Sequence, residues 1–337
     1  MSIIRPFRLI TAITTIPKAS AKPHPALSGY QSTMSTSSTS QRTTPRNFIL
    51  DFDGTITTTD TISTLARFGL AHQKSHGKDL SAAWDDIVAR YGEDYSSHIK
   101  IYKPDVTQRK DLASEIAHLR SLRNIELRSF ERVSKSGIFK GISREDWKEA
   151  GRKSVRDGDV VVRAGFNAFL VKVRENGRKC GIVSVNFSKS FILGVVEESA
   201  REIDLRSMAI LANEPDEDGI LRGPVVQTGV KAGPVMATSD RKLAVMKNLL
   251  SSWSVEGDVY IGDSGTDVEC LMAENMTGIV IAREGKSSLM ETLQRVNVTV
   301  DHLHSYDEFI QPALYWASDF EDMLTSPIFN KHSMKLR

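Results

Sequence analysis

Asn47-Phe-Ile-Leu-Asp-Phe-Asp-Gly-Thr-Ile-Thr57 and, about two hundred residues later, Val259-Tyr-Ile-Gly-Asp-Ser-Gly-Thr-Asp267 decide how this chain folds. Each opens on a short apolar run that reads as a strand buried on both faces, and closes on Asp, Gly and small polar residues that break it. The breaks deliver Asp51 and Asp53 from the first string, and Asp263 and Asp267 from the second, to the edge where parallel sheets expose their chemistry. Carboxylates gathered there repel one another and are costly to keep ionised without a hard divalent cation among them, for which Mg2+ is the natural candidate. Such a site suits a phosphate.

Working outward, Gly54 permits the first turn, and the strand pattern then disappears for about a hundred residues. From Asp60 to about Asp157 the periods are helical: Ile62, Leu65 and Ala66; Trp84, Ile87, Val88 and Tyr91; Leu112, Ile116 and Leu119; and a capping box from Ser143 to Asp146. Alternation then resumes. The pattern predicts a helix through Phe166–Val173, strand Cys180–Val185, a helix from Lys189 and a strand near Met208–Leu211. It continues with a hairpin turning at Asp218-Gly219, a helix over Asp240–Leu250, strand Val259–Ile261 and helix Asp267–Ala273. Strand Gly278–Ile281 and a helix near Ser287–Val296 follow. This is the pattern of an α/β doubly wound parallel sheet, a Rossmann-like core over residues 46–59 and 158–325, interrupted by an inserted α-helical cap over 60–157 and followed by a tail from 326.

The chain has 337 residues, 40% of them hydrophobic and 26% charged, as in an ordinary globular protein. A formal charge of +2 conceals an asymmetry: six of the 44 basic residues and none of the 42 acidic ones fall in residues 1–50, leaving the remainder at −4. That balance gives no nucleic-acid footprint, and no stretch reads as a membrane span. The basic, Ser/Thr-rich, acid-free residues 1–45 read as a mitochondrial transit peptide or as a disordered tail on a cytoplasmic protein. Cys180 and Cys270, both in apolar contexts, read as core thiols in a reducing compartment. Trp84, Tyr91 and Tyr95 read as core, and the His302-x-His304 pair, with no third ligand near it in sequence, as a solvated loop.

Phosphoryl transfer needs a nucleophile, a proton carrier, positive charge and donors for the remaining oxygens. Asp51 is placed to attack phosphorus. Asp53 can protonate the leaving group and then deprotonate the hydrolytic water, with its backbone carbonyl facing the metal. Ser184, at a strand end, offers a hydroxyl and nearby amides to a phosphate oxygen, with Asn186 a second donor. Lys242, at a helix start, can supply the fixed charge that holds Asp51 and phosphate together, Arg241 being its nearest competitor. Asp263 can bind the cation directly; Asp267 can bind it through water or orient Lys242.

In that order, DFDGTIT, the Ser184 strand, Lys242 and GDSGTD resemble the four motifs of the haloacid dehalogenase superfamily, over nearly everything from Asn47 to Val300. In that superfamily an Asp two residues after the nucleophile marks phosphatases and phosphotransferases, so Asp53 implies a Mg2+-dependent phosphatase of small phosphorylated metabolites acting through an aspartyl-phosphate. The helical insertion is similar to the cap of the branch containing phosphoserine phosphatase, and the chain resembles fungal hydrolase-like proteins of that branch. Asp60, nine residues after Asp51, matches the position of a substrate-binding acid in phosphoserine phosphatase and is one methylene shorter. A cap arginine for a substrate carboxylate would come from among Arg90, Arg109, Arg120 and Arg123. The same four motifs serve phosphotransferases and mutases, and a non-catalytic metabolite-binding protein is the more distant alternative.

Overall fold

The computed structural model describes residues 47–225, 233–253, 258–307 and 313–329. The chain enters through strand β1 (Asn47–Leu50) and passes into five helices: α1 (Ile62–Ser75), α2 (Ser81–Ile101), α3 (Leu112–Ser121), α4 (Arg123–Ser136) and α5 (Arg144–Arg156). Alternation begins with α6 (Phe166–Glu175), β2 (Lys179–Val183), α7 (Lys189–Ser199) and β3 (Ala209–Leu211). A small hairpin of β4 (Glu214–Pro215) and β5 (Leu221–Arg222) leads to α8 (Ser239–Trp253), β6 (Val259–Gly262), α9 (Val268–Leu271), β7 (Thr277–Ile281) and α10 (Ser288–Arg295). The described chain closes with β8 (Asp301–His302), β9 (Ala313–Ala317), α11 (Phe320–Thr325) and a 3-10 turn at Pro327–Phe329.

Seven strands form one parallel sheet in the order β3-β2-β1-β6-β7-β9-β8. Successive side chains enter opposite core layers, as the two-residue period of a strand requires. Phe48 and Leu50 pack in one layer with Ile182, Val259, Ile261, Ile279 and Ile281. Ile49, Val183, Tyr260 and Val280 pack in the other. Helices cover both faces, which is why β1 and β6 are buried along their whole length. From β1 the chain steps to β2 and β3 on one side and, later, to β6 and β7 on the other. The crevice beyond the carboxyl ends of β1 and β6 is therefore the topological switch point, and both acidic strings end there.

Caps fix several helix starts. Ser143 and Asp146 form the expected reciprocal box at α5, and Asp111, Ser188 and Ser287 each accept a backbone N–H at the starts of α3, α7 and α10. Among the aromatics of α2, Trp84 and Tyr91 are buried, while Tyr95 is half-buried and stacks on Tyr91.

The insertion packs tightly on the core: a Cβ on Gly151 of α5 would lie 2.2 Å from the Phe191 carbonyl oxygen, and one on Gly194 of α7 1.9 Å from that of Lys148, so these helices cross backbone to backbone. Three details depart from the sequence reading. The helix expected over Asp267–Ala273 is a 3-10 turn, Gly265–Asp267, followed by the single turn of α9, because Asp267 turns its carboxylate back onto Ser264. Strands β8 and β9 were not anticipated, although Ala313-Leu-Tyr-Trp-Ala317 is an apolar run of strand length. The tail assigned from 326 starts inside the core, where Phe329 stacks on Phe48 at 5.3 Å and Ile328 is buried. The expected transit segment, residues 1–45, lies outside the described residues. Among the described residues, no helix is long and apolar enough to cross a membrane.

Candidate active site

β1 delivers Asp51 by extending its ladder one step past Leu50, the Asp51 N–H donating to the Ile261 carbonyl at 2.8 Å. Gly54, at φ 76°, then folds the chain back so that the Phe52 carbonyl accepts from Ile56 N and Thr57 N. Arg163, in the segment between α5 and α6 just past the helical insertion, clamps this turn by donating to the carbonyls of Gly54 (2.6 Å) and Thr55 (2.9 Å). A loop whose carbonyls are fixed from outside holds its side chains with little freedom, which suits groups that act on a reacting atom.

Lys242 of α8 joins the two acidic strings. Its fully buried Nζ donates to Asp51 Oδ1 at 2.7 Å and to Asp267 Oδ1 at 2.6 Å, so Lys242 rather than its neighbour Arg241 spans the carboxylates. Asp267 also accepts from the Tyr260 hydroxyl at 2.7 Å and, through Oδ2, from Asp263 N, Ser264 N and Ser264 Oγ. The Lys242 Nζ–Asp267 Oδ1 bond is the contact that one of its two expected roles, orienting Lys242, requires. The Asp267 carboxylate lies so close to Gly262 that a Cβ there would sit 2.5 Å from its Cγ, which explains the glycine before Asp263. Burial opposes a charge on both partners, but the pairing wins: Asp267 and Asp51 hold the Lys242 ammonium above its usual pKa, and Lys242 with its companions holds Asp267 below the carboxylate range. Burial first, and Asp267 second, push the Tyr260 phenol well above 10.

Asp263 follows β6 and is partly open to solvent, with Thr55 Oγ1 donating to its Oδ1 at 3.2 Å. Asp51, Asp263 and Asp267 each present an oxygen within 4.8 Å of the others. An all-oxygen set with one member facing solvent fits a hard, partly hydrated cation such as Mg2+ rather than a soft metal.

Asp53 is turned toward the root of the helical insertion. Its Oδ1 accepts from Thr61 N (2.8 Å) and Thr61 Oγ1 (2.7 Å), and its Oδ2 from Asn186 Nδ2 (2.8 Å). Asn186, expected as a second phosphate donor, directs its amide to Asp53 and Thr61 instead, and thereby positions the carboxylate. Asn213 secures that loop by donating to the carbonyls of Val185, Asn186 and Met236. Ser184 is fully buried just past β2, the strand beside β1, and its Oγ accepts from Asn186 N at 3.2 Å. Asp60, expected at the substrate, accepts from Ile62 N at 2.8 Å and so closes the first turn of α1. The four arginines considered for a substrate carboxylate are all ion-paired within the protein: Arg90 with Asp86, Arg109 with Glu115, Arg120 with Glu269 and Arg123 with Asp240. The last two tie the insertion to the core, and Leu119 of α3 packs against Gly265 of the second acidic loop.

Thr55, Thr61, Tyr260, Asn213 and Arg163 were not singled out from sequence. Thr55 sits inside DFDGTIT and was within reach of inspection. Tyr260 reads as one more apolar strand residue, and Thr61, Asn213 and Arg163 carry no local signal, since their partners are set by the fold.

A profile of haloacid dehalogenase-like hydrolases matches residues 48–272, from β1 past the second acidic string and across the whole insertion. The chain belongs to the haloacid dehalogenase-like hydrolase family. Among curated proteins it is 24% identical to Cold tolerance protein 1 of Saccharomyces cerevisiae over 79% of this chain and 88% of that one. It is 27% identical to a CTO1 family protein of Schizosaccharomyces pombe over 66% of this chain and 77% of the other. Among solved structures it is similar to a phosphoserine phosphohydrolase-like protein from Francisella tularensis (TM-score 0.45, 15% identity, 83% of this chain and 98% of that one).

Proposed function

We propose that this family member is a Mg2+-dependent phosphatase of small phosphomonoesters. The observation that carries the reading is the buried Lys242 bridging Asp51 and Asp267, residues brought from separate strings to one switch-point crevice. Lys242 donates to Asp51 Oδ1 and balances the negative charge that a carboxylate nucleophile carries. Asp51 attacks phosphorus: the Asp51 O–P bond forms, the bond to the ester oxygen breaks, and Asp53 gives its proton to the departing alkoxide. Asp53 then takes a proton from the water that splits the acyl phosphate, releasing inorganic phosphate and restoring Asp51. Asp51 and Asp263, with the Asp53 carbonyl, would hold Mg2+, which when bound neutralises phosphate charge. Ser184 and nearby backbone N–H groups would receive a phosphate oxygen.

The insertion, whose Leu119 packs against Gly265 of the second acidic loop, carries a net charge of +4 over residues 60–157, which favours anionic substrates. Thr61, at the start of α1, bonds Asp53, so movement of the insertion and orientation of the proton carrier are linked.

The test is release of phosphate from p-nitrophenyl phosphate and from a panel of phosphorylated metabolites with Mg2+, comparing the wild type with Asp51→Asn. Turnover lost in the variant, with an unchanged circular dichroism spectrum, supports the reading. Undiminished turnover would overturn the nucleophile, and turnover that depends on an added alcohol acceptor would convert the assignment to a phosphotransferase.

A further inference from the structure

A second constellation lies on the edge strand of the sheet. His302 ends β8, His304 sits in the 3-10 turn Leu303–Ser305 that follows, and Asp322 lies on α11, twenty residues further along the chain. His302 Nε2 lies 3.0 Å from Asp322 Oδ2, and His304 Nε2 lies 3.0 Å from Asp322 Oδ1. The two imidazoles are nearly parallel, 14° apart with centroids at 4.7 Å, so both ring nitrogens point at one carboxylate. The third ligand that the sequence lacked is supplied by the fold.

We propose that His302, His304 and Asp322 form a binding site for a borderline divalent transition metal, Zn2+ in the first instance, with water completing the coordination from the solvent side. The donor set is two imidazoles and one carboxylate, which selects Zn2+, Ni2+ or Cu2+ over Mg2+. One ligand atom from each of the three residues lies within 4.8 Å of the other two, close to the roughly 3.3 Å that separates donors set about 2.0–2.2 Å from a common tetrahedral zinc.

The surroundings are those of a supported site. The Ser318 N–H donates to Asp322 Oδ2 at 2.9 Å and aims the carboxylate from behind. The ring of His302 rests on Trp316 at 4.2 Å, which limits its rotation. His304 is the most exposed of the three, at 46% of its side chain, and leaves one side open to water. A bound ion would clasp the end of β8 to α11.

The site is separate from the Asp51 crevice, and the test keeps them apart by using an Asp263→Asn background. The full chain, stripped with chelator and dialysed against excess Mg2+, is titrated with Zn2+ against a chromophoric competitor. One Zn2+ per chain is expected in Asp263→Asn. Affinity should fall in Asp263→Asn/His304→Gln by at least the roughly 10- to 100-fold typical of losing even an outer partner. His304→Gln alone should abolish zinc-dependent thermal stabilisation while leaving Mg2+-supported phosphatase activity unchanged, which also shows that the variant is folded. Absence of zinc binding in Asp263→Asn, equal affinity in the double variant, or displacement of zinc by Mg2+ would each overturn the proposal.

Discussion

Replacing Lys242 by Met removes the ammonium that bridges Asp51 and Asp267 while roughly keeping its volume. Nζ is inaccessible to solvent, and the carboxylates it bridges are no more than 3% exposed, so water cannot take its place. Breaking a buried ion pair by deleting one partner costs about 3–5 kcal/mol, because the other charge is left uncompensated. The loss should depend on pH. In the wild type Asp267 titrates below its unfolded value, so its pairing stabilises the fold above about pH 4 and is lost as pH falls through the lower, folded value. Without Lys242 the two carboxylates are raised above their unfolded values, so the destabilisation is full at neutral pH and shrinks as acid protonates them. Urea unfolding at pH 7.5 and pH 5, each about a unit or more above the ordinary carboxylate value, measures this. The expected result is a deficit of about 3–5 kcal/mol at the higher pH, smaller at the lower, and partly repaired by adding Asp267→Asn. A Lys242→Met protein within about 1 kcal/mol of wild type at neutral pH would refute the reasoning.

Thr61→Val removes the hydroxyl that donates to Asp53 Oδ1, and should slow hydrolysis of alkyl phosphates by about tenfold while sparing p-nitrophenyl phosphate, whose leaving group needs no proton; steady-state kinetics on the two substrates decide. Gly151→Ala places a methyl group against the Phe191 carbonyl, so the urea midpoint should fall by the equivalent of at least about 1–3 kcal/mol, and an unchanged midpoint would contradict the backbone crossing of α5 and α7. Glu126 accepts from the buried Tyr91 hydroxyl, and its pKa is raised by burial to about 7. The unfolded chain therefore loses this proton first, and stability declines as pH rises from the ordinary carboxylate value toward 7. Glu126→Gln should remove that decline, gaining on the order of 1–3 kcal/mol at pH 8 and nothing at pH 4.

The sheet and its switch point were legible because Phe48–Leu50 and Val259–Ile261 are unbroken apolar runs followed at once by Asp, Gly and small polar residues. The nucleophile, lysine and acidic loop were legible for a related reason: each lies within three residues of an element boundary. What escaped were contacts made across the fold. Asn186 looked like a ligand donor because nothing local says that Asp53, 133 residues away, will take its amide. Asp322 completes a cluster with His302 and His304 only once α11 folds back over β8, and β8, two residues long, has no period to read. Arg163 holds the Asp51 turn over a separation of more than a hundred residues, and only the two ends of the insertion bring it there.

The most direct test of convergence on Asp51 is a rapid acid quench of the enzyme turning over a 32P-labelled phosphomonoester with Mg2+, followed by peptide mapping. Hydroxylamine-labile label on the peptide carrying Asp51, and none in Asp51→Asn, is the expected result. Label on another residue, or burst turnover with no labelled protein, would contradict the aspartyl-phosphate route.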